Sequence, residues 1–324
     1  MVQYRQYNNL KEGMSNMKCA YCGTEAKGTK EHIISCAILD LFPECYITFD
    51  DVRDKIHLGD PMVKDVCADC NNNKISYIDS YAKNLIGKYF TREYDADDKL
   101  EIEYDYTMVQ KMLLKYAFND MRSHKDDCSF FDNGMLHFLM DIHDEIPKEN
   151  ISALCGLVVN VSPVPNAMFG NLKLRWCKNP FFYSNSTIRH IDYETGVIAL
   201  NEDVEKEDFP DLKFSYLFRF NSVQFLLMCW DKNSEKIEQN NIVLDCQYPY
   251  HLMKPNENKA VLPLCTDELN YHKFEHIHVR WDGLFEVGLM RKYASGGSYK
   301  YKEQIEKEWR EEEKKISAEH PRNK

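Results

Sequence analysis

Along the first half of the chain the apolar positions keep a helical period. Ile75, Ile78, Ala82, Leu85 and Ile86 recur at three- and four-residue steps, the spacing of one buried helical face. Residues 108–122, MVQKMLLKYAFNDMR, predict an amphipathic helix, and residues 135–142 predict a second. From residue 151 the pattern changes to short apolar runs bounded by turn residues: SALCGLVVNV, NLKLRWC, FSYLFRF, VQFLLMCW and HIHVRW. Such runs read as strands of a mainly antiparallel sheet. The tail KYKEQIEKEWREEEKKISAEH has Glu and Lys at helical spacing and predicts an exposed, charged terminal helix.

These elements predict an α+β chain in three parts. Residues 1–94 form a compact unit with its core at 17–90, after a polar lead-in of 18 residues without a clear period. Residues 95–150 form a helical connector, opened by the linker-like run Asp95-Ala96-Asp97-Asp98. Residues 151–324 form an α+β domain for recognition or partner binding, ending in the charged helix.

Composition narrows the class. A hydrophobic content of 44% in 324 residues is that of a globular protein. No run reaches the roughly 18 to 20 apolar residues of a membrane span, and the start MVQYRQYNNLKEG lacks the apolar stretch of a signal peptide. A cytoplasmic location without a membrane partner is expected. The net charge of −11 argues against binding nucleic acid by bulk electrostatics. The acidic excess lies beyond residue 90, in YDADDKLEIEYD and NEDVEKEDFPD, so a nucleic-acid partner requires a local basic patch, a divalent cation or a partner subunit.

Of the twelve cysteines, eight stand singly and are expected as small core residues: Cys36, Cys45, Cys128, Cys155, Cys177, Cys229, Cys246 and Cys265. The other four form Cys19-x-x-Cys22 and Cys67-x-x-Cys70, two pairs 45 residues apart. Two such pairs turn four thiolates toward one point, the natural ligand set of a tetrahedral structural zinc. Between the pairs lies Thr29-Lys30-Glu31-His32-Ile33-Ile34, and directly after the last cysteine lies Asn71-Asn72-Asn73-Lys74, opening a helix. His276 and His278 in HIHVRW, and the glycine-containing stretch at 294–300, are weaker signals read as a strand face and a flexible turn.

Over residues 17–90 this pattern resembles the HNH endonucleases of the His-Me finger superfamily, in the subtype whose two CxxC knuckles bracket a ββα-metal motif. The resemblance implies a small zinc-stapled HNH module ahead of the connector and the sheet domain. It implies that His32 deprotonates water, and that Glu31 and Asn71 hold a divalent metal such as Mg2+. It assigns Cys19, Cys22, Cys67 and Cys70 to the structural Zn2+. Histidine suits the role of base because its imidazole titrates near pH ~6.5. The sequence departs from the family at Glu31, where Asp is commoner, and at residues 62–66, MVKDV, where many members carry an asparagine that braces the catalytic loop. Asn72 and Asn73 are the candidate substitutes, and Lys74 is a candidate phosphate contact.

The activity implied is hydrolysis of phosphodiester bonds, with DNA ahead of RNA as substrate. A solitary module on an acidic body further implies an activating partner or a homo-oligomer, and such an architecture suits anti-phage defence or mobile-element biology. The alternative is a non-catalytic zinc-knuckle protein that displays a nucleic-acid or protein contact surface.

Overall fold

A computed structural model describes residues 16–265, except 44, 46, 51–54, 59, 143–145, 160–172, 181–182, 185–187, 192–197, 201–204 and 207–208. Most of the polar lead-in, the HIHVRW run with His276 and His278, the stretch at 294–300 and the charged tail lie outside the described residues. No helix among the described residues is long and apolar enough to cross a membrane.

Short strands build the N-terminal part. β1 (Met17–Lys18) pairs with β2 (Glu25–Ala26) around the first CxxC turn, and β3 (Gly28–His32) runs antiparallel to β6 (Met62–Cys67). Between β3 and β6 lie α1 (Cys36–Leu39) and a hairpin of β4 (Ile47–Asp50) and β5 (Lys55–Leu58). α1 starts at Ser35, whose hydroxyl accepts a hydrogen bond from the Ala37 amide at 3.1 Å, a cap typical of serine. After β6 the chain makes one π-helical turn, Cys70–Lys74, and enters α2 (Ser76–Tyr89). The predicted apolar face of α2 is buried at every position, Ile75, Ile78, Ala82, Leu85 and Ile86.

β7 (Glu101–Glu103) leads to α3 (Tyr106–His124), which departs from the amphipathic expectation. Every residue from Val109 to Met121 is buried, among them Gln110, Lys111, Lys115, Asn119 and Asp120. The reason is that α3 is covered on both flanks, by α2 and β6 on one side and by β8 and its sheet on the other. Burying amide and charged groups is costly unless they are paired: Gln110 donates to the Lys148 carbonyl, Lys111 to Asp141, Lys115 to Asp79 and Asn119 to the His32 carbonyl, while Asp120 accepts from Trp176 and Tyr216. α4 (Asn133–Leu139) begins at Asp132, which accepts the Met135 amide at 2.9 Å, and ends before the expected residue 142. The run at 95–98 is a closed turn in which the Asp98 amide bonds the Asp95 carbonyl at 3.0 Å. One buried apolar core includes residues from Cys19 to Leu262.

The remaining elements are β8 (Ile151–Leu157), β9 (Leu174–Lys178), β10 (Tyr183–Ser184), β11 (Ile188–Ile191), β12 (Ile198–Leu200), β13 (Glu205–Lys206), β14 (Leu212–Phe220), β15 (Val223–Trp230), α5 (Ile237–Gln247), β16 (His251–Leu252) and β17 (Lys259–Val261). Four of the predicted apolar runs meet in one sheet of order β16-β8-β15-β14-β9, antiparallel throughout. The mixture of helices with antiparallel sheets makes the fold α+β, as predicted. One sheet face, with Tyr216, Phe218, Phe220, Phe225 and Leu227, joins the main core, and Tyr116 of α3 meets Phe218 and Phe220 edge-on. The opposite face, with Leu217, Leu226, Met228 and Trp230, forms a second core with Leu244 of α5. Burial on both faces explains why these strands read as unbroken apolar runs rather than alternating ones.

Candidate functional site

The two CxxC turns face each other because the β3–β6 register sets Gly28 opposite Cys67, while the Ala20 amide bonds the Asp65 carbonyl at 2.8 Å. The first turn closes with the Gly23 amide on the Cys19 carbonyl at 2.9 Å. Gly23 adopts φ +70°, a backbone conformation that side chains strain. Gly28 is needed for a different reason: a Cβ there would collide with the Lys64 carbonyl across the ladder.

This frame gathers the Sγ atoms of Cys19, Cys22, Cys67 and Cys70 within 4.8 Å of one another. Cys22 Sγ and Cys67 Sγ are 3.8 Å apart, and a tetrahedron with zinc–sulfur bonds of about 2.3 Å has an edge of about 3.8 Å. The amides of Cys67 and Cys70 donate to the sulfurs of Cys19 and Cys67 at 3.3 and 3.4 Å. Against the opposing effect of burial, hydrogen bonds from Thr24 bring the Cys22 thiol down to about 6, whereas burial and the neighbouring thiols push Cys70 up. Four thiols so placed can bind a metal such as zinc, and binding would displace their protons. Among the described residues they are the one group of three or more Cys, His, Asp or Glu gathered in this way. Of the eight single cysteines, Cys45, Cys155, Cys229 and Cys265 are buried as expected, Cys128 and Cys177 are half-buried, and Cys36 and Cys246 are exposed.

His32 ends β3 with its side chain 27% exposed, and its Nε2 faces Asp60 Oδ2 at 3.6 Å. That separation is too long for a direct hydrogen bond and short enough for an ion pair when the ring is protonated. Asp60 stands there because the Ile33 amide bonds the Pro61 carbonyl at 3.0 Å, carrying the ladder past the His32–Met62 pair. No sequence signal marks Asp60.

Glu31 points inward. Its Oε1 lies 2.8 Å from the Lys115 ammonium and accepts the Asn119 amide nitrogen at 3.3 Å. Lys115 also donates to both Asp79 carboxylate oxygens at 2.6 Å. Burial pushes the Asp79 carboxyl up while the ammonium of Lys115 pulls it back. The same Asn119 nitrogen donates to the His32 carbonyl at 2.9 Å, and Asn119 Oδ1 accepts from Tyr21 and from Arg122 at 3.0 and 2.5 Å. Arg122 in turn pairs with Asp65 at 2.6 Å. Asn119 on α3 thus ties the backbone at the end of β3 to Tyr21 and Arg122. Asn73 instead bonds Asp69 at 2.9 Å and Asn72 is exposed, so neither reaches β3.

The side-chain nitrogen of Asn71 donates to Thr29 Oγ1 and to the Lys30 carbonyl, both at 3.0 Å, across the bulge in β3. Its Oδ1 accepts no hydrogen bond from a described residue, nor does Glu31 Oε2. Each of these two side chains is therefore held by one polar atom and leaves one oxygen unengaged. Lys74 pairs with Asp69 at 3.0 Å. Lys18, Lys27, Lys30 and Lys64 are exposed on or beside β1, β3 and β6.

Comparison of the chain with protein-family models, with curated proteins and with solved structures finds no match in any of the three.

Proposed function

We propose that this chain is a metal-dependent HNH endonuclease that hydrolyses phosphodiester bonds of DNA, with a four-cysteine zinc holding the frame. The observation that carries the reading is the strand–strand–helix frame β3–β6–α2, stapled by four converging thiols, with His32 half-exposed where β3 opens. In this reading His32 takes a proton from a water molecule, the water oxygen bonds to phosphorus, and the opposite phosphorus–oxygen bond breaks. The leaving oxygen then takes a proton from solvent. Asp60 balances the charge that the imidazole gains, and Asn119 keeps His32 in register by its bond to the backbone. Glu31 and Asn71 would hold a divalent cation such as Mg2+ through their unengaged oxygens, and that ion would stabilise charge developing on the phosphate. The exposed lysines of β1, β3 and β6 would meet the nucleic-acid backbone.

The second reading, a zinc-knuckle binding module without catalysis, is favoured by the lack of a second converging Cys, His, Asp and Glu group among the described residues. One experiment separates the two. Wild type and His32→Ala are incubated with plasmid, linear and single-stranded DNA and with RNA, in Mg2+ or Mn2+ and in EDTA, with zinc content followed by elemental analysis. The nuclease reading expects cleavage that both EDTA and His32→Ala abolish while the variant keeps its zinc. Equal cleavage by the variant refutes His32 as base, and retained binding with no cleavage by either protein supports the second reading.

A further inference from the structure

Lys115 and Asp79 lie outside the motif that carries the proposed activity, yet they are joined directly to it. The Lys115 side chain is fully buried on α3 and its ammonium sits between Glu31 and Asp79. Asp79, on α2, is 23% exposed and gives Lys115 both of its oxygens. An ammonium touching Glu31 alone would cancel the charge that attracts a divalent cation. With Asp79 added, the three side chains keep one net negative charge, and Glu31 Oε2 accepts no hydrogen bond from a described residue.

We infer that Asp79 and Lys115 form a charge balance that sets the affinity of the Glu31 site for its divalent cation, Asp79 raising it and Lys115 lowering it. Neither touches substrate; both act through Glu31. The inference rests on the proposed metal-bearing role of Glu31, and it assigns opposite signs to two residues in contact. Loss of the Asp79 charge leaves Glu31 neutralised by Lys115. Loss of the Lys115 charge leaves two carboxylates unopposed. A unit charge within about 8 Å of a divalent ion at a partly hydrated site shifts its affinity by about tenfold.

The test is titration of the zinc-loaded full chain with Mn2+, followed by the electron paramagnetic resonance of the free ion, with circular dichroism to verify folding. Asp79→Asn, which keeps the side-chain shape at a partly exposed position, is expected to weaken Mn2+ binding about tenfold. Lys115→Met is expected to tighten it by a similar factor, and the double variant to return near wild type. Glu31→Gln is expected to remove the site in every background. Should Lys115→Met leave the chain unfolded, Asp79→Asn and Asp79→Glu decide the matter, since only the first alters charge. Weakening by both single variants, or no change in Asp79→Asn while Glu31-dependent binding persists, overturns the charge balance alone. Wild-type binding that is absent or unaltered by Glu31→Gln overturns both this inference and the metal-bearing role of Glu31.

Discussion

His124, the last residue of α3, ties the helix to the β4–β5 hairpin, and its contribution to stability should depend steeply on pH. Its Nδ1 lies 3.1 Å from the Asp120 carbonyl and 3.5 Å from the Asp120 carboxylate, and its Nε2 lies 3.4 Å from Asp50. The side chain is 13% exposed, so solvent screens these contacts weakly. The Asp120 hydrogen bond leads, with the charges of Asp120 and Asp50 behind it, and burial opposes; together they push the His124 imidazole up to about 9 from 6.5. The folded chain therefore keeps a proton that the unfolded chain releases as pH rises. The stabilisation is complete below about pH 6.5 and is lost as pH climbs through about 9.

At about 1.4 kcal/mol per pKa unit, the rise from 6.5 to about 9 corresponds to about 3 kcal/mol. That is a large share of the total stability of a typical domain. The perturbation is His124→Gln, which keeps hydrogen-bonding capacity and removes the charge. Urea unfolding of both proteins, followed by tryptophan fluorescence with zinc in slight excess, gives the stability difference at about pH 6 and about pH 10, bracketing the two pKa values. The expected difference is about 3 kcal/mol larger at the lower pH. Taking the difference between proteins cancels the titration of the four converging thiols and of other groups common to both. A difference that does not vary between the two pH values refutes a protonated His124 in the folded state.

Two other outcomes follow from the frame. Cys67→Ala should lose bound zinc and melt the knuckle region, read by elemental analysis and circular dichroism, whereas Cys246→Ser, an exposed single cysteine, should change neither. Gly28→Ala should destabilise the chain by about 2 kcal/mol or more in urea unfolding, because its Cβ meets backbone that cannot yield as a side chain would.

Much of the fold was legible wherever local pattern carried the information. The period of Ile75, Ile78, Ala82, Leu85 and Ile86 predicted the buried face of α2, and four apolar runs predicted strands that share one antiparallel sheet. The spacing of the cysteines predicted their convergence. α3 was legible as a helix and illegible as a buried one, because Lys111, Lys115, Asn119 and Asp120 read as a solvent face until their partners are known. Those partners are distant in sequence: Asp79 for Lys115, His32 for Asn119, and Trp176 and Tyr216 for Asp120. α5 was missed because its apolar residues face one sheet through Leu244 while Ile242 is exposed, which blurs any helical period. The partner of His32, Asp60, was missed because a single aspartate before a proline has no pattern at all.

The bond from Asn119 to the His32 carbonyl has a practical consequence for anyone wishing to move this module into another protein. A fragment ending after α2 would keep all four cysteines, Glu31, His32 and Asn71, and every residue of the recognisable motif. It would lose the amide that anchors the strand end and the ammonium that meets Glu31, both carried by α3. Transplantation has to include the helix through Arg122, together with an apolar surface to cover its far side, or the motif will travel without its support.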